Sequence, residues 1–174
     1  MANWQLDGAH SEIEFKVRHM MISTVKGQFK NFEVNVQNDG DDLTQAQVEV
    51  KIETDSIDTK NEQRDQHLKS SDFFDSGSNQ FITFTSTAIK VDDEENFKIT
   101  GDLTINQVTK SITVNAEFGG MAKDPWGNDK VGYTVNGKIN RADFGLTWNA
   151  ALETGGVMVS DEVKFTADLQ FVKS

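Results

Sequence analysis

Apolar and polar side chains alternate along most of this chain. Ile13, Phe15 and Val17 take one parity, while Glu12, Glu14, Lys16 and Arg18 take the other. Near the far end Val159, Val163, Phe165, Ala167, Leu169 and Phe171 share a parity, against Lys164, Thr166, Asp168 and Gln170. A period of two sets successive side chains on opposite faces of a strand, so each run has one oily and one wet face. The same signal recurs in Val48-Val50-Ile52, Ile82-Phe84-Ser86-Ala88 and Phe97-Ile99-Leu103-Ile105. It appears again in Ile112-Val114-Ala116-Phe118 and Val131-Tyr133-Val135-Ile139. The links Asp92 to Asn96 and Asn106 to Lys110 are short, which favours antiparallel neighbours. Closed on itself, such a sheet encloses an apolar interior, either a solid core or a pocket.

Five places interrupt the pattern. Val25, Gly27 and Phe29 give way to Phe32, Val34 and Val36 on the other parity, which reads as a bulge at Lys30-Asn31. Asn38 to Asp42 and Gly155-Gly156 carry turn chemistry. Gly119 to Lys130, with the single proline Pro125, reads as a longer exposed loop. Thr59-Lys60-Asn61-Glu62 reads as a capping box that opens a short helix running to Lys69. Having few apolar residues, that helix must lie on the barrel. Leu68, Phe73 and Phe74 are its natural anchors, and Arg64 and His67, one turn apart, can point together. The segment is expected to cover one mouth.

Composition narrows the function. At 174 residues the chain fits one domain, 1–174, and is all-β apart from that insertion near residues 60–75. Its net charge of −11 argues against nucleic acid and disfavours docking on an anionic membrane. With no cysteine, thiol nucleophiles, thiolate metal sites and disulfides are excluded. Neither a transmembrane run nor the pattern of a signal peptide is present. The expectation is a soluble, cytoplasmic protein, or a periplasmic or secreted one if the sequence was trimmed. No membrane insertion is expected, and monomer and homodimer stay open.

The side chains nominate no catalytic residue, no metal site and no cofactor. His10 and His19 have opposite parity in a continuous strand, so they cannot share a metal. No G-x-S-x-G elbow accompanies Ser11 beside His10. Carboxylates fall on wet parities or in turns. What remains is the interior, where barrels of about eight strands can hold one small ligand. Phe15, Val17, Phe29, Val50, Phe84, Leu103, Val114, Tyr133, Val135 and Phe165 share inward parity and form the candidate ligand-binding wall. His19, Arg64 and His67 are the candidates near a head group. Small inward residues, Gly101, Ala116 and Gly137, favour a cavity over a filled core.

Together these segments resemble the YceI-like family of lipocalin-like polyisoprenoid-binding proteins. The resemblance is carried by Trp4-Gln5-Leu6-Asp7, Ala9-His10-Ser11, Ile13-x-Phe15-x-Val17-x-His19 and Gly27-x-Phe29. It continues through Ser56-Ile57-Asp58-Thr59, Arg64-Asp65-x-His67-Leu68-Lys69-Ser70 and Asp72-Phe73-Phe74-Asp75. Ile82-Thr83-Phe84-x-Ser86-Thr87, Gly101-x-Leu103-Thr104-Ile105, Val108-Thr109-Lys110 and Asn140-Arg141-x-Asp143-Phe144-Gly145 complete it. It spans essentially the whole chain in order, and the Arg64 to Asp75 block is distinctive. Two departures lie in turns: Asn79-Gln80-Phe81 where the family usually has a proline, and Gln107 where it usually has a glycine.

The resemblance implies an extended antiparallel β-barrel of about eight strands holding a long-chain isoprenoid or similar fatty amphiphile. It implies carriage, storage or isoprenoid-quinone handling without a known reaction, and hence no enzyme. The alternatives are an enzyme acting on an isoprenoid at the barrel mouth and a solid-core, partner-binding module.

Overall fold

The computed structural model describes residues 2–20, 22–38, 43–149 and 159–173. The turn signals at Gly40 and at Gly155-Gly156 lie outside the described residues. The alternating runs become strands β1 (Ala2–Leu6), β2 (Glu12–His19), β3 (Ser23–Phe29), β4 (Phe32–Asn38), β5 (Gln47–Glu53) and β6 (Ile57–Asp58). After one helix, α1 (Glu62–Lys69), come β7 (Phe81–Val91), β8 (Asn96–Ile105), β9 (Val108–Lys123), β10 (Asp129–Asn140) and β11 (Val159–Lys173).

The first six segments are the halves of three bent strands. β1 and β2 run in line beside β11, with Leu6 facing Phe171 and Glu12 facing Asp168. β3 and β4 follow that line, Phe29 opposite Ile13 and Asn35 opposite Gln5. β5 and β6 make the third, Ile52 facing Phe32 and Ile57 facing Phe29. Counted this way, eight antiparallel strands close into a barrel. The bends stand side by side and are tied together. Lys30 N–H donates to Ser56 O at 3.1 Å, Glu53 N–H to Asn31 O at 3.0 Å and Asp7 N–H to Gln170 O at 2.8 Å.

This geometry corrects four local expectations. Lys30-Asn31 is no bulge: the chain there leaves its neighbour β2 and joins β1. Register shifts occur instead between Ser86 and Ala88, between Gly132 and Tyr133 and between Val159 and Val163. The supposed loop from Gly119 to Lys130 is mostly strand, because β9 continues to Lys123 and β10 begins at Asp129. Its turn is held by Asp124, whose carboxylate accepts the N–H groups of Trp126 (2.9 Å) and Asn128 (2.8 Å). The link after β8 shrinks to Asn106 and Gln107, both at positive φ (53° and 65°). That hand of turn matches the twist of paired strands and favours glycine in its second position.

The helix begins later than the capping box implies. Its cap is Asn61, whose side chain accepts the Arg64 N–H at 3.0 Å. Thr59 is buried, and its N–H (2.9 Å) and hydroxyl (2.5 Å) both donate to the Asp65 carboxylate. The chain therefore leaves β6 at Asp58, turns at Lys60 (φ 65°) and enters the helix only at Glu62.

Candidate functional site

A cavity of about 600 Å³ occupies the barrel beneath α1. Of the sequence-nominated residues, Phe15, Val17, His19, Phe29, Val50, Arg64, His67, Phe84, Leu103, Val114, Val135 and Phe165 border it. Ile52, Ile82, Ile99, Ile112, Ile139 and Trp148 extend the same wall. Tyr133 does not border it, and that expectation is corrected. Its ring packs between Phe118 (5.7 Å) and Phe171 (6.4 Å) toward the end that carries the termini. Burial there pushes the Tyr133 phenol pKa up. Parity fixes the face a side chain takes but not its height along the barrel.

Glycine keeps the lumen open indirectly. A Cβ on Gly27 would fall 2.3 Å from the Phe15 ring, one on Gly137 2.4 Å from Phe165, and one on Gly101 2.5 Å from Phe84. Each ring lies down over a glycine of the adjacent strand instead of reaching across the barrel. So Gly101 and Gly137 are not empty space, as their size suggested; they are platforms. Ala116 borders no part of the cavity and packs at 3% exposure, opposite Phe97 and Val135.

The cover is built from two chain segments. From the α1 side come His67 and Phe73, and from the β10–β11 connection comes Trp148. Their rings meet at 4.7 Å (His67–Trp148), 5.1 Å (His67–Phe73) and 5.4 Å (Phe73–Trp148). Phe74 turns the other way, onto Phe29 at 5.9 Å. Polar groups fix this arrangement. Arg64 donates through Nε to Thr59 Oγ1 (2.8 Å) and through Nη2 to Thr59 O (2.5 Å). His67 Nε2 lies 2.9 Å from Asp72 Oδ2.

Arg141 is the residue that sequence reasoning missed. Only 4% exposed, it reaches four carbonyls: Ser160 (2.9 Å), Leu146 (2.6 Å), Trp148 (2.8 Å) and Val159 (3.3 Å). It thereby pins the Trp148 segment to β11. Burial draws its guanidinium pKa downward, opposed by Asp161, yet arginine remains charged throughout the accessible range. Its acceptors are backbone atoms, which leave no trace in a sequence. The one available signal was an arginine within an Asn-Arg-x-Asp-Phe-Gly turn.

Ser11, His10 and Asp7 do assemble, outside the cavity, but not as a nucleophilic triad. The Ser11 hydroxyl donates to Asp7 O at 2.7 Å and accepts the Gln170 N–H at 3.0 Å. Asp7 Oδ2 meets Lys130 Nζ and His10 Nδ1, each at 2.8 Å. Chiefly through the Lys130 hydrogen bond, and then that of His10, the Asp7 pKa falls to about 2. This is a tie between the β1–β2 bend and β10, in which the Ser11 proton goes to a backbone carbonyl and not to the His10 ring.

Three comparisons agree with this architecture. The YceI-like domain model matches residues 4–171. UPF0312 protein SA2479 of Staphylococcus aureus is 45% identical over 172 residues, 98% of each chain. The YCEI protein of Campylobacter jejuni superposes with a TM-score of 0.76 at 33% identity, covering 90% of each chain. A polyisoprenoid binding domain from Saccharophagus degradans shares the fold, with a TM-score of 0.77 at 15% identity over 100% of both chains. Sequence, fold and covered interior therefore lead to one assignment: this chain belongs to the YceI-like family.

Proposed function

We propose that this protein binds a long-chain polyisoprenoid, or a similar amphipathic lipid, inside the barrel. On this reading it serves in carriage, storage or isoprenoid-quinone handling and performs no reaction of its own. The observation that carries the reading is the apolar cavity of about 600 Å³. Filled with water at ~30 Å³ each it would hold on the order of twenty molecules, and each needs two to four polar partners. Phenylalanine, isoleucine, valine and leucine supply none, so a hydrocarbon chain is the better occupant. Burying about ten methylene-sized groups at ~0.8 kcal/mol apiece yields on the order of 8 kcal/mol, before ordering costs are subtracted. That is enough for useful affinity without a charged anchor.

The Saccharophagus degradans domain of the same fold, described as polyisoprenoid binding, supports the reading. The open lumen counts against a solid-core module. The groups at the mouth, Arg64 and Arg141, are engaged in holding the cover, which counts against catalysis there. Native mass spectrometry followed by organic extraction tests the reading. A co-purifying prenyl lipid, or a stoichiometric mass shift on adding a prenyl alcohol, is expected. Protein that stays ligand-free in the presence of prenyl alcohols overturns it.

A further inference from the structure

The barrel wall is not hydrogen-bonded all the way round. β9 and β10 pair from Asp129–Lys123 to Asn136–Asn115 and no further, although β9 extends back to Val108 and β10 on to Asn140. Along this seam β9 is paired with β8, and β10 with β11. Outside it lies a groove of about 620 Å³ whose floor includes Val114, Gly137 and Phe165. Val114 and Phe165 border the internal cavity as well. One layer of side chains therefore divides groove from cavity, and Gly137 adds nothing to it.

Lys16, Lys98, Lys138 and Lys164 surround the groove, accompanied by Glu14. The register aligns them: Lys138 faces Lys164, Lys164 faces Lys16, and Lys16 faces Lys26 on the next strand. Like charges directly opposite one another weaken a sheet, so this row is a liability in a chain of net charge −11. Glu162 reaches Lys164, and Asp92 reaches Lys98, each at 4.0 Å. The side-chain ammonium groups of Lys16 and Lys138 have no hydrogen bond or ion pair among the described residues. At the covered mouth the opposite holds, since Arg64 and Arg141 are already engaged with Thr59 and with backbone carbonyls.

We propose that the seam is a lateral portal and that its lysines hold the phosphate-class head of an amphiphile whose chain lies in the cavity. This deepens the lipid-binding reading and rests on it. A charged head cannot follow its chain into an apolar lumen, so it must stay outside within reach of the chain. Lysine ammonium groups suit a phosphate as compact point charges. Entry breaks no backbone hydrogen bond, because the seam has none to break. Rotation of the Phe165 ring off Gly137 clears the threshold.

The test titrates the wild type, the variant K16Q/K138Q/K164Q and the variant R64Q at low salt. The probes are a prenyl phosphate, the prenyl alcohol of equal length and inorganic phosphate alone. The wild type should prefer the phosphate over the alcohol by roughly tenfold, a preference that fades as salt screens the lysines. The triple variant should lose that preference and keep its alcohol affinity, with an unchanged or higher melting temperature because repulsion is relieved. R64Q should keep the preference. Inorganic phosphate should reduce the preference without displacing the alcohol. If the preference survives in the triple variant, or disappears in R64Q instead, the head sits at the covered mouth and the portal is refuted. If neither amphiphile binds the wild type, the lipid-binding reading itself falls.

Discussion

At the end that carries the termini, Phe171 faces Val131 and Leu6 across the sheet, and Tyr133 faces Leu169 and Phe118. Aromatic rings there meet other large side chains and fill the barrel. Toward the covered end Phe15 faces Gly27, and Phe165 faces Gly137. With no Cβ opposite, these rings fold onto the wall and leave about 600 Å³ open. Both regions use the same alternation, and both are rich in phenylalanine. What separates a packed core from a hollow one is the partner across the strand.

The largest effect expected from this contrast is on stability. Phe171→Ala in the packed region should cost about 3–5 kcal/mol. Phe165→Ala should cost less, about 1–2 kcal/mol, because part of its ring already faces empty space and makes fewer contacts there. Urea denaturation of both variants measures the difference, and equal losses would erase the distinction. Gly137→Ala places a methyl group 2.4 Å from the Phe165 ring and forces it off the wall. A penalty of about 1–3 kcal/mol is expected, along with weaker binding of a prenyl alcohol as the ring enters the lumen. Unchanged affinity would show that the ring has another place to go.

A smaller effect belongs to pH. The Asp7 pKa is lowered from 3.8 to about 2 in the folded protein. Its contribution is therefore fully present above the unfolded value and is lost as the pH falls through about 2. Asp7→Asn should cost about 1–2 kcal/mol at neutral pH and flatten the acid limb of stability against pH. Acid limbs that run in parallel for wild type and variant would mean the tie to Lys130 contributes nothing. Smallest is the turn between β8 and β9. Gln107 sits at φ 65°, so Gln107→Gly should gain about 0.5–1 kcal/mol by relieving left-handed strain. Thermal melts will show whether this departure from the family pattern is carried at a loss.

The pattern of alternation was enough to place nearly every strand, because burial of one face leaves a period of two in the residues themselves. It could not reveal that β1 and β2 are one bent strand, since the bend at Asp7 to Ser11 is made by hydrogen bonds to Gln170, far away in sequence. Asn61 rather than Thr59 caps the helix for a similar reason: Asp65 captures Thr59 first. Tyr133 shows the limit most clearly, as its parity was inward but its height depended on register across several strands. The lysine row is hidden in the same way, for Lys138, Lys164 and Lys16 become neighbours only through pairing.

The account stands most directly on where a chain lies within the barrel. A crystal structure of the protein grown with a prenyl alcohol decides it. The account predicts continuous density for the chain among Phe15, Phe84 and Phe165 beneath His67 and Trp148, and none among Trp4, Tyr133 and Phe171. A ligand bound only outside the barrel, with those phenylalanine rings swung inward to fill the lumen, would contradict it.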